Sequence, residues 1–217
     1  MRVSEIFFSL QGEGPSAGTP AHFIRLQGCD VGCRWCDTRY SWDFRGGREL
    51  SAAAACDEAA ALGEAPLLVI TGGEPAEHPG LAELLAAALA RWPRVEVETS
   101  GVAPPPRPDP RLAWNVSPKL PSATPRWRDT WAHVAAWIAE PGATFKIVVG
   151  DPPDAEDASD LIARHALPRE RVMLMPEGLT EPALRERAAG LADQCKRLGV
   201  RMSPRLHIWM WGARRGV

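Results

Sequence analysis

The sequence has no apolar run long enough to cross a bilayer. Its longest, Leu81 to Leu89, is interrupted by Glu83, whereas a spanning helix needs about 20 residues. It also has no secretory hydrophobic core and no Arg- and Ser-rich transit segment, since Met1-Arg2-Val3-Ser4-Glu5 leads straight into a strand-like segment. A cytoplasmic protein without membrane contact is therefore expected. A positive excess is missing too. The chain has 25 Lys and Arg against 27 Asp and Glu, for a net charge of -2. Phosphate contacts demand a basic face, so no nucleic-acid partner is expected. Lysine is scarce, with only Lys119, Lys146 and Lys196 among the 25 basic residues, so each is worth following. Internal repeats are absent, and so is any His/Asp/Ser hydrolytic set. The cysteines do not pair off: there are five, an odd count that argues against a disulfide framework.

What is present is an ordinary globular composition, 45% hydrophobic and 24% charged over 217 residues, enough for one well-buried domain spanning 1–217. Apolar, β-rich runs cover Arg2–Phe8, His22–Gln27, Leu67–Thr71, Val95–Thr99, Leu112–Val116, Ala143–Val149 and Arg171–Met175, with Leu206–Met210 as a further candidate. Helical patterns cover Ser51–Leu62, Leu81–Trp92, Trp127–Glu140, Ala155–Ala166 and Glu181–Leu198. Ser51 can cap the first helix, Gly63 can end it, and Gly199 can end the last. Strands alternating with helices imply an α/β fold with a mainly parallel sheet. The Pro-rich stretch Ala103–Pro110 reads as a surface loop. Polar clusters follow the strands at Thr71-Gly72-Gly73-Glu74-Pro75, Glu98-Thr99-Ser100-Gly101, Ser117-Pro118-Lys119, Lys146 and Pro176-Glu177-Gly178. The C-terminal edge of such a sheet is where ligands bind.

Three of the five cysteines, Cys29, Cys33 and Cys36, lie within eight residues in Cys-x3-Cys-x2-Cys spacing. Clustered thiolates suit zinc, Cu(I) or an iron–sulfur cluster. A [4Fe-4S] cluster normally takes four cysteines, so three leave either a distant fourth donor or an open iron. A structural zinc with Cys195 or a histidine as fourth ligand, or uncomplexed core thiols, are the alternatives that spacing leaves open. Together with Gly72-Gly73-Glu74-Pro75 after a strand, the cysteine loop resembles the radical S-adenosylmethionine superfamily. The resemblance implies that Cys29, Cys33 and Cys36 hold three irons of a [4Fe-4S] cluster and that S-adenosyl-L-methionine chelates the fourth. It further implies that Gly73 and Glu74 hold the methionyl amino group, and that Trp35 sits near the adenine.

A second signature precedes the cluster: Leu10-Gln11-Gly12-Glu13-Gly14, then Phe23-Ile24-Arg25-Leu26-Gln27-Gly28. A carboxylate beside an amide suits a guanidine-like edge, and Arg25 suits a carboxylate as a bidentate fork. A Gly-rich turn and a solvated arginine would read the same way. With the Cys and Gly-Gly-Glu-Pro motifs, the chain is similar to the family of 7-carboxy-7-deazaguanine synthases over most of its length. That family implies an incomplete, reduced (βα) barrel, usually as a homodimer. It implies conversion of 6-carboxy-5,6,7,8-tetrahydropterin to 7-carboxy-7-deazaguanine with loss of ammonia, Mg2+, and an electron donor such as flavodoxin or ferredoxin. Carried over, Leu10, Gln11, Gly12, Glu13, Arg25, Thr71 and His207 would contact the pterin. Trp35, Cys36, Asp37, Gly73, Glu74, Ser117, Pro118, Lys119, Met175, Pro176, Glu177 and Gly178 would contact S-adenosyl-L-methionine. Thr38 would touch Mg2+.

A radical-activating enzyme acting on a protein partner shares the cysteine loop but gives no reason for Gln11, Glu13 and Arg25 together. A zinc module gives none for Gly-Gly-Glu-Pro. Cys56 and Cys195 fall in helical segments and read as structural thiols. The expected outcome is that Cys29→Ala, Cys33→Ala or Cys36→Ala abolishes the iron–sulfur chromophore after anaerobic reconstitution, while Cys56→Ala and Cys195→Ala retain it. Loss in Cys195→Ala equal to that in Cys36→Ala would make Cys195 a fourth ligand.

Overall fold

The computed structural model describes residues 1–106 and 108–217. The strands are β1 (Arg2–Leu10), β2 (Pro20–Leu26), β3 (Arg48–Glu49), β4 (Leu67–Gly72), β5 (Arg94–Thr99), β6 (Leu112–Val116), β7 (Ala143–Val149), β8 (Val172–Pro176) and β9 (Arg201–Met202). They form one sheet in the order β3-β1-β2-β4-β5-β6-β7-β8-β9. From β2 to β9 every neighbouring pair is parallel, while β1 runs antiparallel to both β2 and β3. The ends of the sheet, β3 and β9, are not paired with each other, so the barrel is incomplete. The helices are α1 (Ala52–Ala60), α2 (Leu81–Leu89), α3 (Val134–Ala139), α4 (Pro152–Arg164), α5 (Glu181–Leu198) and α6 (Leu206–Trp211). Among the described residues, no helix is long and apolar enough to cross a membrane.

Parallel strands covered on both faces usually read as continuous apolar runs. These do not, and the alternation divides the sheet by function. Ile24, Leu68, Ile70, Val95, Val97, Trp114, Phe145, Ile147 and Leu174 point to the helices and build the main core. Their neighbours on the other face include Arg25, Thr71, Glu96, Glu98, Asn115 and Lys146. Register places Arg25 beside Thr71, and Glu98 beside Asn115. One face therefore supplies most of the apolar burial, worth about 1.5–3 kcal/mol for each large side chain, and the other combines a small apolar cluster of Ala21, Phe23, Leu67 and Val69 with a polar interior.

The helix ends follow local chemistry. Ser51 Oγ accepts from the Ala54 amide at 3.1 Å, and Thr180 caps α5 in the same way. Gly199 ends α5 in the left-handed conformation, φ 67°. The first helix stops at Ala60 with Ala61 as its cap, before Gly63 is reached.

Two segments differ from sequence expectation. Leu206–Met210 is helical, not a strand. The sheet ends at β9, and the Ile208 and Trp209 amides both turn back to the Arg205 carbonyl, while the Leu206 amide bonds to Gly12 O. Trp127–Glu140 is not one helix but a series of tight turns followed by α3. Thr130 Oγ1 donates to Trp127 O and accepts from Lys119 N, and the Trp131 indole donates to Lys119 O, which ties the turns to the loop after β6. Trp131 and Trp137 are buried core residues, and Trp137 packs 5.1 Å from Trp114. Pro152 and the buried Asp154 start α4 three residues earlier than expected. The Ala103–Pro110 loop includes Arg107, which lies outside the described residues.

Ser51→Ala should lower stability by about 1 kcal/mol, the usual cost of a lost N-cap, read as a lower urea midpoint at unchanged slope. An unchanged midpoint would show that the Oγ–Ala54 bond contributes nothing.

Candidate active site

The polar face of the sheet and the loops at its C-terminal edge enclose one cavity of about 250 Å³. Cys29, Cys33 and Cys36 line it from the loop after β2, and Leu10, Gln11, Gly12 and Glu13 from the loop after β1. Arg25, Trp35, Asp37, Thr38, Thr71, Gly73, Glu74, Ser117, Lys119, Met175, Glu177 and His207 complete most of the sequence-derived set. Pro118, Pro176 and Gly178 stand behind the lining, as backbone of the loops that carry the others.

All three cysteines of the loop are partly exposed, in contrast to the buried Cys56 and Cys195. Burial pushes the Cys29 thiol up to about 11 and raises the Cys33 thiol as well, even though Lys119 opposes it at Cys33. Three thiolates on one tetrahedral zinc, each at 2.3 Å, would lie about 3.8 Å apart. Among the described residues, the cysteine sulfurs are not drawn within 4.8 Å of one another as a trio; Glu13, Asp37 and His207 are. Trp42, which sequence reasoning passed over, donates its indole N–H to Cys36 Sγ at 3.2 Å. Thr38 Oγ1 lies 3.5 Å from the same sulfur and makes no capping bond to the turn that follows it.

The Glu74 carboxylate is buried and accepts from the Ala76 and Ser100 amides and from Thr99 Oγ1. It braces the loop from within. Gly73 lies so close to Gly28 that a Cβ would stand 1.9 Å from the Gly28 carbonyl oxygen, so the two ligand loops touch through backbone alone. Lys119 donates to Ser117 Oγ at 3.1 Å.

Gln11 is bound at both ends of its amide. Its Nε2 donates to Glu96 at 2.9 Å and Glu98 at 3.1 Å, and its Oε1 accepts from the Glu13 amide at 3.3 Å. Glu96 also accepts from Ser16 Oγ and Asn115 Nδ2. Burial raises the Glu96 carboxyl above the ordinary range, against those hydrogen bonds. Thr71 Oγ1 donates to Glu98 at 2.7 Å. Arg25 Nε donates to Glu5 at 2.7 Å, and Glu5 is shared with Tyr40 and with Arg215 of the C-terminal tail.

At the centre stands Glu13. Lys146 lies in the middle of β7, not at its end, and reaches one oxygen of Glu13. Arg205 Nε donates to the other at 2.9 Å. Arg205 also holds Asp37 and, at 2.6 Å, the Gly178 carbonyl. Burial alone would raise the Glu13 carboxyl, but Lys146, Arg205 and His207 hold it well below the usual range. Glu13 and Glu98 keep Lys146 charged in spite of its burial. Burial lowers His207, which leaves it neutral at pH 7. A Cβ on Gly12 would stand 2.2 Å from His207 Nδ1, so Gly12 is what lets the imidazole lie on the loop. With both cations already on its carboxylates, the Glu13–Asp37–His207 trio is an ion-pair centre rather than a cation cage.

Comparison with known proteins agrees with this chemistry. The Radical SAM superfamily matches residues 23–113. A 7-carboxy-7-deazaguanine synthase of Pyrobaculum aerophilum is 42% identical, covering all of this chain and 97% of its own. That of Chlorobaculum tepidum is 38% identical, covering 97% and 94%. The crystal structure of QueE from Escherichia coli superposes with a TM-score of 0.69 at 29% identity, over 93% of this chain and 92% of that one.

Removing Arg205 would leave one oxygen of the largely enclosed Glu13 and the Gly178 carbonyl without their donor, while the exposed Asp37 stays solvated. Arg205→Met should therefore cost about 3 kcal/mol or more, measured by urea unfolding of the apoprotein. A loss under 1 kcal/mol would mean that the Arg205 contacts do not bind the three loops together.

Proposed function

The chain belongs to the 7-carboxy-7-deazaguanine synthase family, radical S-adenosylmethionine lyases of queuosine biosynthesis that use a [4Fe-4S] cluster and S-adenosyl-L-methionine, and we propose that it contracts the ring of 6-carboxy-5,6,7,8-tetrahydropterin to 7-carboxy-7-deazaguanine with loss of ammonia. The observation that carries this reading is the cavity whose lining brings together the three-cysteine loop, a Glu13 carboxylate held by Lys146 and Arg205, and the side chains of Arg25 and His207. When bound, the cluster and S-adenosyl-L-methionine supply a carbon-centred radical able to take hydrogen from the pterin.

The chain's own residues bind and orient. Cys29, Cys33 and Cys36 hold three irons. Gly73 gives S-adenosyl-L-methionine close access to backbone, with Glu74 bracing that loop. Trp35, Asp37, Ser117, Lys119 and the Met175–Gly178 segment complete its site. Glu13, fixed as a carboxylate, accepts from the guanidine edge of the pterin. Arg25 offers the guanidinium nitrogens not engaged by Glu5 to the pterin carboxylate. Thr71 and His207 contact the ring. Gln11 acts through its loop, holding the Leu10–Gly12 backbone against the ligand. Thr38 supplies an oxygen to Mg2+, whose remaining positions fall to water and substrate. Residues 1–217 act as one domain, supported by the single sheet. A low-potential donor such as flavodoxin or ferredoxin supplies the electron. A homodimer is supported by the exposed Trp209, Met210 and Trp211 of α6.

The test is anaerobic reconstitution with iron and sulfide, then turnover with S-adenosyl-L-methionine and the carboxytetrahydropterin. One ammonia should be released per deazaguanine formed, with stimulation by Mg2+. A loaded cluster that leaves the pterin unconverted would overturn the reading. Thr38→Val should keep the chromophore and lose the Mg2+ stimulation; equal stimulation would remove Thr38 from the metal site.

A further inference from the structure

Trp42 grips the cysteine loop twice. Its carbonyl accepts from the Cys29 amide at 3.2 Å, and its indole N–H donates to Cys36 Sγ at 3.2 Å. Its position is fixed from behind. The Trp42 amide turns back to Arg39 O, and the Arg39 guanidinium lies over its ring, 5.5 Å from the centroid. The preceding residue, Ser41, is buried; its carbonyl accepts from the Gly28 amide at 2.8 Å and its Oγ donates to Thr38 O at 2.7 Å. The Trp42 backbone is therefore anchored to the start of the cysteine motif at Gly28 and Cys29, and its ring reaches the end of the motif at Cys36. Neither Cys29 nor Cys33 receives a comparable side-chain donor among the described residues. The side-chain donors are thus asymmetric: Cys29 is met by the Val31 backbone amide, and of the three sulfurs only Cys36 takes an N–H from a side chain.

We propose that Trp42 is a positioning residue that sets the reduction potential of the cluster, by donating its indole N–H to the Cys36 sulfur and holding that sulfur relative to Cys29. The inference rests on the cysteine assignment above. The physical argument concerns charge. As a cluster ligand, Cys36 is a thiolate, and an N–H donor to a charged acceptor is stronger than one to a neutral acceptor. Uptake of one electron makes the cluster and its ligand sulfurs more negative, so the bond gains strength on reduction and raises the potential; hydrogen bonds to the sulfurs are among the factors that set cluster potentials. The electron comes from an external one-electron reductant, and no bond in the protein is made or broken. An indole suits the task because it is donor-only and titrates nowhere near physiological pH.

Trp42→Phe keeps the ring and the carbonyl and deletes the donor. Wild type and variant are reconstituted anaerobically, assayed for iron and sulfide, and titrated with dithionite against mediators while the reduced signal is followed by electron paramagnetic resonance. The expected result is equal iron content and a lower midpoint in the variant. At the wild-type midpoint, the reduced-to-oxidised ratio should fall at least threefold, about 28 mV for one electron at 59 mV per tenfold. Equal midpoints overturn the proposal. A second measurement needs no variant. In wild-type protein grown with 15N-indole tryptophan, the reduced cluster should show a weak 15N hyperfine coupling and a nearby exchangeable proton, and the absence of both overturns the proposal even if Trp42→Phe fails to fold. If wild type assembles no cluster at all, the cysteine assignment fails and this inference falls with it; if it assembles one and the midpoints agree, only the role of Trp42 fails.

Discussion

The structure turns on one buried carboxylate. Glu13 sits on a loop between two strands at one side of the sheet, yet its partners come from β7 and from the far C-terminal segment, 133 and 192 residues away. An isolated charge there would be too costly to keep. Lys146 and Arg205 make it affordable, and in doing so they close the open side of an incomplete barrel. Arg205 passes the constraint on to Asp37 in the cysteine loop and to the Gly178 carbonyl. The loop after β1, the cysteine loop and the loop after β8 are therefore referenced to a common centre and not merely to their own strands. Breaking a buried pair on one side costs far more than the pair itself contributes, so this centre behaves as a registry device.

Around that centre the sheet separates two tasks that share the same strands. Odd and even residues of β4 to β8 face either the helical layer or the cavity, and the two faces have opposite chemistry. Glu96 and Glu98, two residues apart, both face inward, while Val95 and Val97 pack under α2. The polar interior has its donors and acceptors largely matched before any ligand arrives. Preorganisation of this kind is what a radical enzyme requires, since the protein's contribution is to hold one C–H bond against one carbon and to exclude alternatives.

Much of this was legible in the sequence, for identifiable reasons. The cysteine spacing, Gly-Gly-Glu-Pro, and the strands from Leu67 to Val149 are local patterns, so reading along the chain finds them. Glu181–Leu198 was bounded by a terminal glycine, and the structure has the same limits, with Thr180 as the cap at its start. What could not be read is what depends on distance in the chain. Nothing local pairs Lys146 with Glu13 or marks Arg205 as more than one of many arginines. Its one sequence signal was position, two residues before His207. Glu74 and Gln11 look like ligand groups as isolated residues. Their engagement with Ser100, Thr99, Glu96 and Glu98 needs three-dimensional neighbours. Leu206–Met210 misled because a short, mostly apolar run fits a strand or a helix equally well, and a contact with Gly12 decides between them.

The matched set beneath the substrate loop also constrains how the sequence can drift. Glu96 is fully enclosed, and Gln11, Ser16 and Asn115 spend their donors on it. Replacing any one with an apolar residue strands the others, whereas replacing all four together need not. Single steps through this set are therefore closed and concerted ones open, so the four positions should behave as one inherited character. Gly14 belongs to it as well, because a Cβ there would stand 2.4 Å from the Asn115 amide nitrogen. A lineage that alters its pocket floor must do so as a block, while the exposed arginines around the rim remain free to vary one at a time.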